Sequence, residues 1–212
     1  MKRIGITLRT CNPEAYHEPR DGLARDWYRL LAELGCANQW LLLPSLGDDS
    51  VSYARDQGVE ALILSGGDDI GSDPLRDQSE YALLAHCVAE GLPVLGVCRG
   101  LQLIQRFFGG QLAPAERAVH VAQRHPISLL PAALQELPWL QGQPPSRSVN
   151  SFHGQQLLAP VPEVLRPWAV DAAGHCEALV HRHLKLAGIM WHPERDTVLH
   201  ESDRQLCHWL FE

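Results

Sequence analysis

The sequence predicts an α/β fold in one domain: a central, mostly parallel sheet flanked by helices, with an antiparallel portion added in the second half. Three observations predict it. Short apolar runs alternate with segments whose apolar residues recur at helical spacing. One run, PVLGV at 93–97, is apolar throughout, as a strand covered on both faces should be. A chain of 212 residues, 45% hydrophobic, can bury one sizeable core, so residues 1–212 are expected to form one domain.

The elements follow in order. RIGITL (3–8) is a β-rich run, and Leu23, Trp27, Leu30, Leu31 and Leu34 mark an amphipathic helix. WLLLP (40–44) and EALILSGGDD (60–69) give two more strands, the second closed by a glycine pair where a strand would end. Tyr81, Leu84, Ala85 and Val88 mark a helix before PVLGV, and the right-handed crossover makes those two strands parallel neighbours. Beyond residue 110 the pattern loosens: RHPISLL, LRPWAV, CEALVH and LAGIM read as strands and SDRQLCHWLF as a closing helix. The Pro- and Gln-rich stretch 131–148 reads as a surface excursion, because half the chain is short for two domains.

Composition excludes several classes. A formal charge of −7 lacks the basic footprint that a phosphate backbone or an anionic membrane would attract. No stretch approaches about 20 consecutive apolar residues, and MKRIGITLRT lacks the apolar core and cleavage site of a signal peptide, so the expected location is the cytoplasm. Six cysteines, at 11, 36, 87, 98, 176 and 207, show neither CxxC spacing nor the density of a disulfide scaffold.

Three places carry chemistry. In GVCRG (96–100), between strand and helix, Gly96 and Gly100 permit a tight bend that lifts Cys98 above the carboxyl ends of the strands, where open α/β sheets bind ligands. A helix N-terminus favours thiolate there, and the Arg99 N–H points the same way, placed to stabilise an oxyanion. A small buried cysteine in a tight turn would satisfy the same pattern. In IMWHPER (189–195), His192 and Glu194 project to one side, so that an imidazole can take a thiol proton while a carboxylate fixes its tautomer. Taken alone, that segment fits an exposed loop with a satisfied histidine and a solvated glutamate better. In SGGDD (65–69), the glycines let backbone approach a ligand closely and offer N–H donors.

Gly-Gly, then an elbow cysteine, then His-x-Glu resembles the class I glutamine amidotransferase-like proteins, which implies a flavodoxin-like sheet and a Cys-His-Glu triad. SGGDDIGSDP, RDQSE, LPVLGVCRGLQLI with FGGQL, RHPI, VNSFHGQ and MWHPER are similar to successive motifs of the γ-glutamyl hydrolases of peptidase C26 type, from residue 64 to 195. The resemblance implies Cys98 as nucleophile, His192 as general base, Glu194 as orienting acid, and the Gly67 and Arg99 amides as oxyanion donors. It implies substrate contacts for Gln102, one helical turn beyond Cys98, and for Ser151 and His153. TCNPEAYHEPRDGLARDWYRLL looks like the start of γ-glutamyl-CDP-amidate hydrolases, with Tyr16, Glu18, Arg20 and Trp27 matching. Those enzymes release a cytidine diphosphoramidate for polysaccharide decoration, and Arg9 and Arg20 could meet its phosphates bidentately or make ordinary surface ion pairs.

The reaction implied is hydrolysis of a small γ-glutamyl amide through a thioester, with no metal or organic cofactor. The alternative is a glutaminase subunit passing ammonia to a separate synthetase; a non-enzymatic scaffold is a third reading, disfavoured by the complete Cys, His and Glu set. Whether the chain pairs as a homodimer is left open. His175, Cys176, His181 and His183 are close enough in sequence to suggest zinc, but without a four-ligand spacing no metal is expected.

Overall fold

The computed structural model describes residues 2–212. Along the chain run β1 (Ile4–Thr7), β2 (Arg9–Cys11), β3 (Arg20–Gly22), α1 (Asp26–Glu33), β4 (Trp40–Leu43), α2 (Asp49–Asp56), β5 (Ala61–Leu64), α3 (Pro74–Glu90), β6 (Val94–Val97) and α4 (Arg99–Phe107). The second half contains β7 (Gln111–Pro114), α5 (Arg117–His120), β8 (Val121–Leu129), α6 (Pro131–Glu136), β9 (Ser146–Phe152), β10 (Gln155–Leu158), β11 (Leu165–Val170), β12 (Cys176–His181), β13 (Leu186–Ile189) and α7 (Glu201–Phe211). Single turns of 3-10 helix span Pro138–Leu140 and Pro193–Arg195.

The fold is α/β. Nine strands form one sheet in the order β4-β1-β5-β6-β13-β12-β11-β8-β9. The first five are mutually parallel, and the last four continue antiparallel from β13. The parallel strands β1, β5, β6 and β13 are buried at every residue, as strands covered by helices on both faces must be. Two apolar clusters form around the sheet: Trp27, Leu31, Trp168 and Phe211 belong to one, Leu62, Leu84, Leu101 and Leu179 to the other.

Local chemistry explains the principal helix α3. Asp73 accepts from the N–H groups of Leu75 and Arg76, Pro74 opens the first turn, and Gly91 closes the helix at φ 65. Stretch 131–148 departs from the expected surface excursion. Its 3-10 turn buries Trp139 and Leu140, with Trp139 packed on Trp168 and Trp209, so the segment plugs one face of the sheet. No helix among the described residues is long and apolar enough to cross a membrane.

Candidate active site

β6 ends at Val97 and α4 begins at Arg99, leaving Cys98 alone to turn the chain. Its backbone sits at φ 53, ψ −103, a conformation that L-residues rarely hold and that sites tend to impose. Two glycines make room for it. A Cβ on Gly100 would lie 2.2 Å from the Leu64 carbonyl oxygen, and one on Gly96 would lie 2.6 Å from the Gly100 carbonyl carbon. Strand, turn and helix therefore touch backbone to backbone, and Cys98 is held at the carboxyl end of the parallel strands.

His192 arrives just beyond β13, in the extended residue that caps the 3-10 turn. Its Nδ1 lies 2.6 Å from Glu194 Oε1, and both side chains are buried. That contact takes one edge of the ring; Nε2, opposite, is buried without a hydrogen-bond partner among the described residues, and Cys98 lies beside the ring. Gly66 borders the pair: a Cβ there would lie 2.7 Å from His192 Cε1 and 3.7 Å from Cys98 Cβ. Burial alone would lower the His192 pKa, but the Glu194 carboxylate and the Cys98 sulfur outweigh it and raise it to about 9. Elsewhere in the core, desolvation pushes Cys87 and Cys176 up to about 12, and Cys207 further in the same direction.

Two side chains not singled out from the sequence hold His192 in place. Asn150 on β9 donates to the His192 carbonyl at 2.8 Å and accepts from its N–H at 2.9 Å. Arg29 on α1 donates to the Glu194 and Asp196 carbonyls at 2.7 and 2.6 Å. Asn150 lies inside VNSFHGQ, and an amide that can both donate and accept was the available signal; Arg29 had none beyond its i,i+4 pairing with Glu33.

RDQSE forms a buried charge network. Arg76 pairs with Glu80 at 3.1 Å and donates to the Ser65 and Gly66 carbonyls. Glu80 also pairs with Arg99 and accepts from Thr7 at 2.7 Å, while Asp77 pairs with the other arm of Arg99. Side chains of α3 thus tie the Gly66–Gly67 loop to the turn carrying Cys98. Gly67, at φ 153, has the Arg76 guanidinium where its Cβ would be. The Arg99 N–H, at the first position of α4, has no partner within the helix.

The remaining expected contacts divide. Arg9 lines a pocket with Trp27, Ser65, Gly66, His192 and Glu194, and pairs with Asp68 at 3.2 Å. Arg20 instead pairs with Glu18 and Tyr16 on the exposed hairpin of β2 and β3. Gln102 is buried and donates to the Gln155 carbonyl at 3.2 Å. Ser151 and His153 turn away into a separate polar cluster: Ser151 donates to the His120 carbonyl, and His153 Nδ1 lies 2.9 Å from the Gln155 carbonyl. The suggested zinc ligands are each engaged separately, His175 with Asp171, Cys176 with the Ala178 carbonyl, and His181 with the His183 and Leu184 N–H groups.

Residues 4–194 match the family model described as Peptidase C26. The γ-glutamyl-CDP-amidate hydrolase of Campylobacter jejuni is 30% identical over 92% of each chain. The glutamine-hydrolyzing GMP synthase subunit of Methanospirillum hungatei is 33% identical over 68% of each. Among solved structures, a GMP synthase subunit from Thermoplasma acidophilum superimposes with TM-score 0.70 at 19% identity, covering 97% of this chain and 91% of its own. A glutamine amidotransferase of Thermotoga maritima gives 0.65 at 12% identity, covering 92% and 77%. At these identities the two structures bear on the fold alone.

Proposed function

The chain belongs to the peptidase C26 family, and from that premise we propose that it hydrolyses the γ-glutamyl amide bond of a small compound with Cys98, His192 and Glu194 as its triad. One observation carries the reading: a cysteine at a strained elbow lies against an imidazole whose far nitrogen is 2.6 Å from a buried carboxylate.

Cys98, as a thiolate whose proton already rests on His192, attacks the γ-carbonyl, forming an S–C bond and an oxyanion that the Gly67 and Arg99 N–H groups stabilise. His192, with its pKa at about 9, holds a proton at neutral pH and gives it to the leaving nitrogen as the C–N bond breaks. Water then adds to the thioester carbonyl, His192 takes its proton, and the S–C bond breaks to release glutamate and regenerate the Cys98 thiolate. Glu194 accepts the Nδ1 proton throughout, so that Nε2 is the atom that gives a proton in the first step and takes one in the second.

The substrate in view is a γ-glutamyl group joined to a phosphate-bearing nitrogen, as in γ-glutamyl-CDP-amidate. Similarity to the Campylobacter hydrolase along 92% of the chain supports it, as does Arg9 in the pocket beside His192. Similarity to the Methanospirillum GMP synthase protein favours a second reading, a glutaminase that waits for a synthetase partner.

Glutamate release from L-glutamine, γ-glutamyl-γ-aminobutyrate and γ-glutamyl-CDP-amidate, against a Cys98→Ala control, tests both. Cys98-dependent release from the nucleotide-linked substrate is the expected result. Release from glutamine alone, rising when a synthetase is added, would replace it with the second reading.

A further inference from the structure

Away from Cys98, the antiparallel half of the sheet buries three histidines and a glutamate around one point. His120 ends α5, His125 lies on β8, His153 follows β9 and Glu177 lies on β12. One ligand atom from each falls within 4.8 Å of the others, and all four residues are buried.

Each imidazole has one nitrogen turned outward to a fixed partner. His120 Nε2 faces Asp171 Oδ2 at 3.4 Å, His125 Nδ1 lies 3.1 Å from the Pro126 carbonyl, and His153 Nδ1 lies 2.9 Å from the Gln155 carbonyl. The opposite nitrogens, His120 Nδ1, His125 Nε2 and His153 Nε2, converge on Glu177 at 3.9, 4.0 and 3.5 Å. These three nitrogens and Glu177 Oε2 have no hydrogen-bond partner among the described residues. Buried polar atoms without partners are rare, and four facing one another call for a common partner. Outer hydrogen bonds that fix each tautomer so that the lone pair points inward are the arrangement metal-binding histidines use.

We propose that His120, His125, His153 and Glu177 bind one divalent transition-metal ion, zinc by the character of the donors, in a closed structural site. Three imidazoles and one carboxylate make the N and O set that tetrahedral zinc takes, with its ligand atoms about 3.3 Å apart, so each needs to move by less than about 1 Å. Four protein ligands leave no position for water or substrate, which makes the site structural. A surface pocket lined by Val119, His120, His125, Pro126, Asp171 and His175 gives the ion a way in.

The ion would join α5, β8, β9 and β12. Two of these border the segment that carries His192: Asn150 on β9 clamps its backbone, and the Glu177 carbonyl accepts from the Met190 N–H at 2.8 Å.

The test is elemental analysis of the protein prepared without a polyhistidine tag from zinc-supplemented medium. About one equivalent of zinc is expected in the wild type and in Cys98→Ala, and a loss of most of it in His125→Ala and Glu177→Gln. Should those variants fail to fold, the wild type stripped with chelator serves instead. Zinc is then expected to raise its Tm by about 5–10 °C, and cobalt(II) to give the intense visible absorption of a tetrahedral site. Less than about a tenth of an equivalent, with no rise in Tm and no cobalt spectrum, overturns the proposal. Zinc that Cys98→Ala abolishes overturns it too, because it places the ion at Cys98.

Discussion

β5 and β6 bury Ala61–Leu64 and Val94–Val97 without one polar side chain, whereas β9 and β12 of the same sheet bury Asn150, Ser151 and Glu177. These two strands are held by apolar contact, so polar groups begin where they stop, at Ser65 and Cys98. The antiparallel strands carry polar groups inside, and their integrity depends on each group finding its partner. The elbow cysteine thus comes from the apolar half, while His192 is held from both halves, by Arg29 of α1 and by Asn150 of β9.

The comparison breaks first at the sulfur. Cys98→Ala is expected to lower turnover by about 10⁴-fold or more with the fold unchanged, read as glutamate release beside circular dichroism. Substantial residual activity would separate the elbow from the chemistry. Next comes the packing beneath it. Gly100→Ala forces a methyl group against the Leu64 carbonyl and is expected to cost about 3 kcal/mol in urea unfolding.

In the polar half, Asn150→Ala leaves a buried N–H and carbonyl of His192 unpaired and is expected to cost about 2 kcal/mol. Its effect on turnover should exceed that of an exposed change such as Val198→Ala. The last effect is one of pH. The folded His192 pKa of about 9 stands above the ordinary value near 6.5. Protonated His192 therefore stabilises the fold fully below about pH 6.5, and this contribution fades as pH rises through about 9. The stability difference between wild type and His192→Gln is expected to narrow across that interval in urea titrations at successive pH values.

The parallel half was legible because its signals are local. PVLGV, the glycines around Cys98 and the two-residue step from His192 to Glu194 each lie within one short segment. α2 escaped because DSVSYARD is polar and buries only Ser50 and Ala54, too little to mark a helical face. β2 and β3, three residues each and largely exposed, carry no alternation to read. Stretch 131–148 read as surface because its prolines and glutamines outnumber the four apolar residues, Ala133, Leu137, Trp139 and Leu140, that bury it. The histidine cluster was not legible at all: residues 120, 125, 153 and 177 meet only through the pairing of β8 with β9 and of β11 with β12 and β8. Reading His175, Cys176, His181 and His183 together used nearness in sequence where pairing across strands decides.

The backbone of Cys98 carries one more consequence. At φ 53, ψ −103 a glycine would sit with less strain than any residue bearing a Cβ. The substitution that eases this turn also deletes the sulfur on which the proposed hydrolysis rests, so under that proposal durability and reactivity pull in opposite directions at a single position. A lineage released from selection on turnover would be expected to drift toward glycine here, growing hardier as it falls silent.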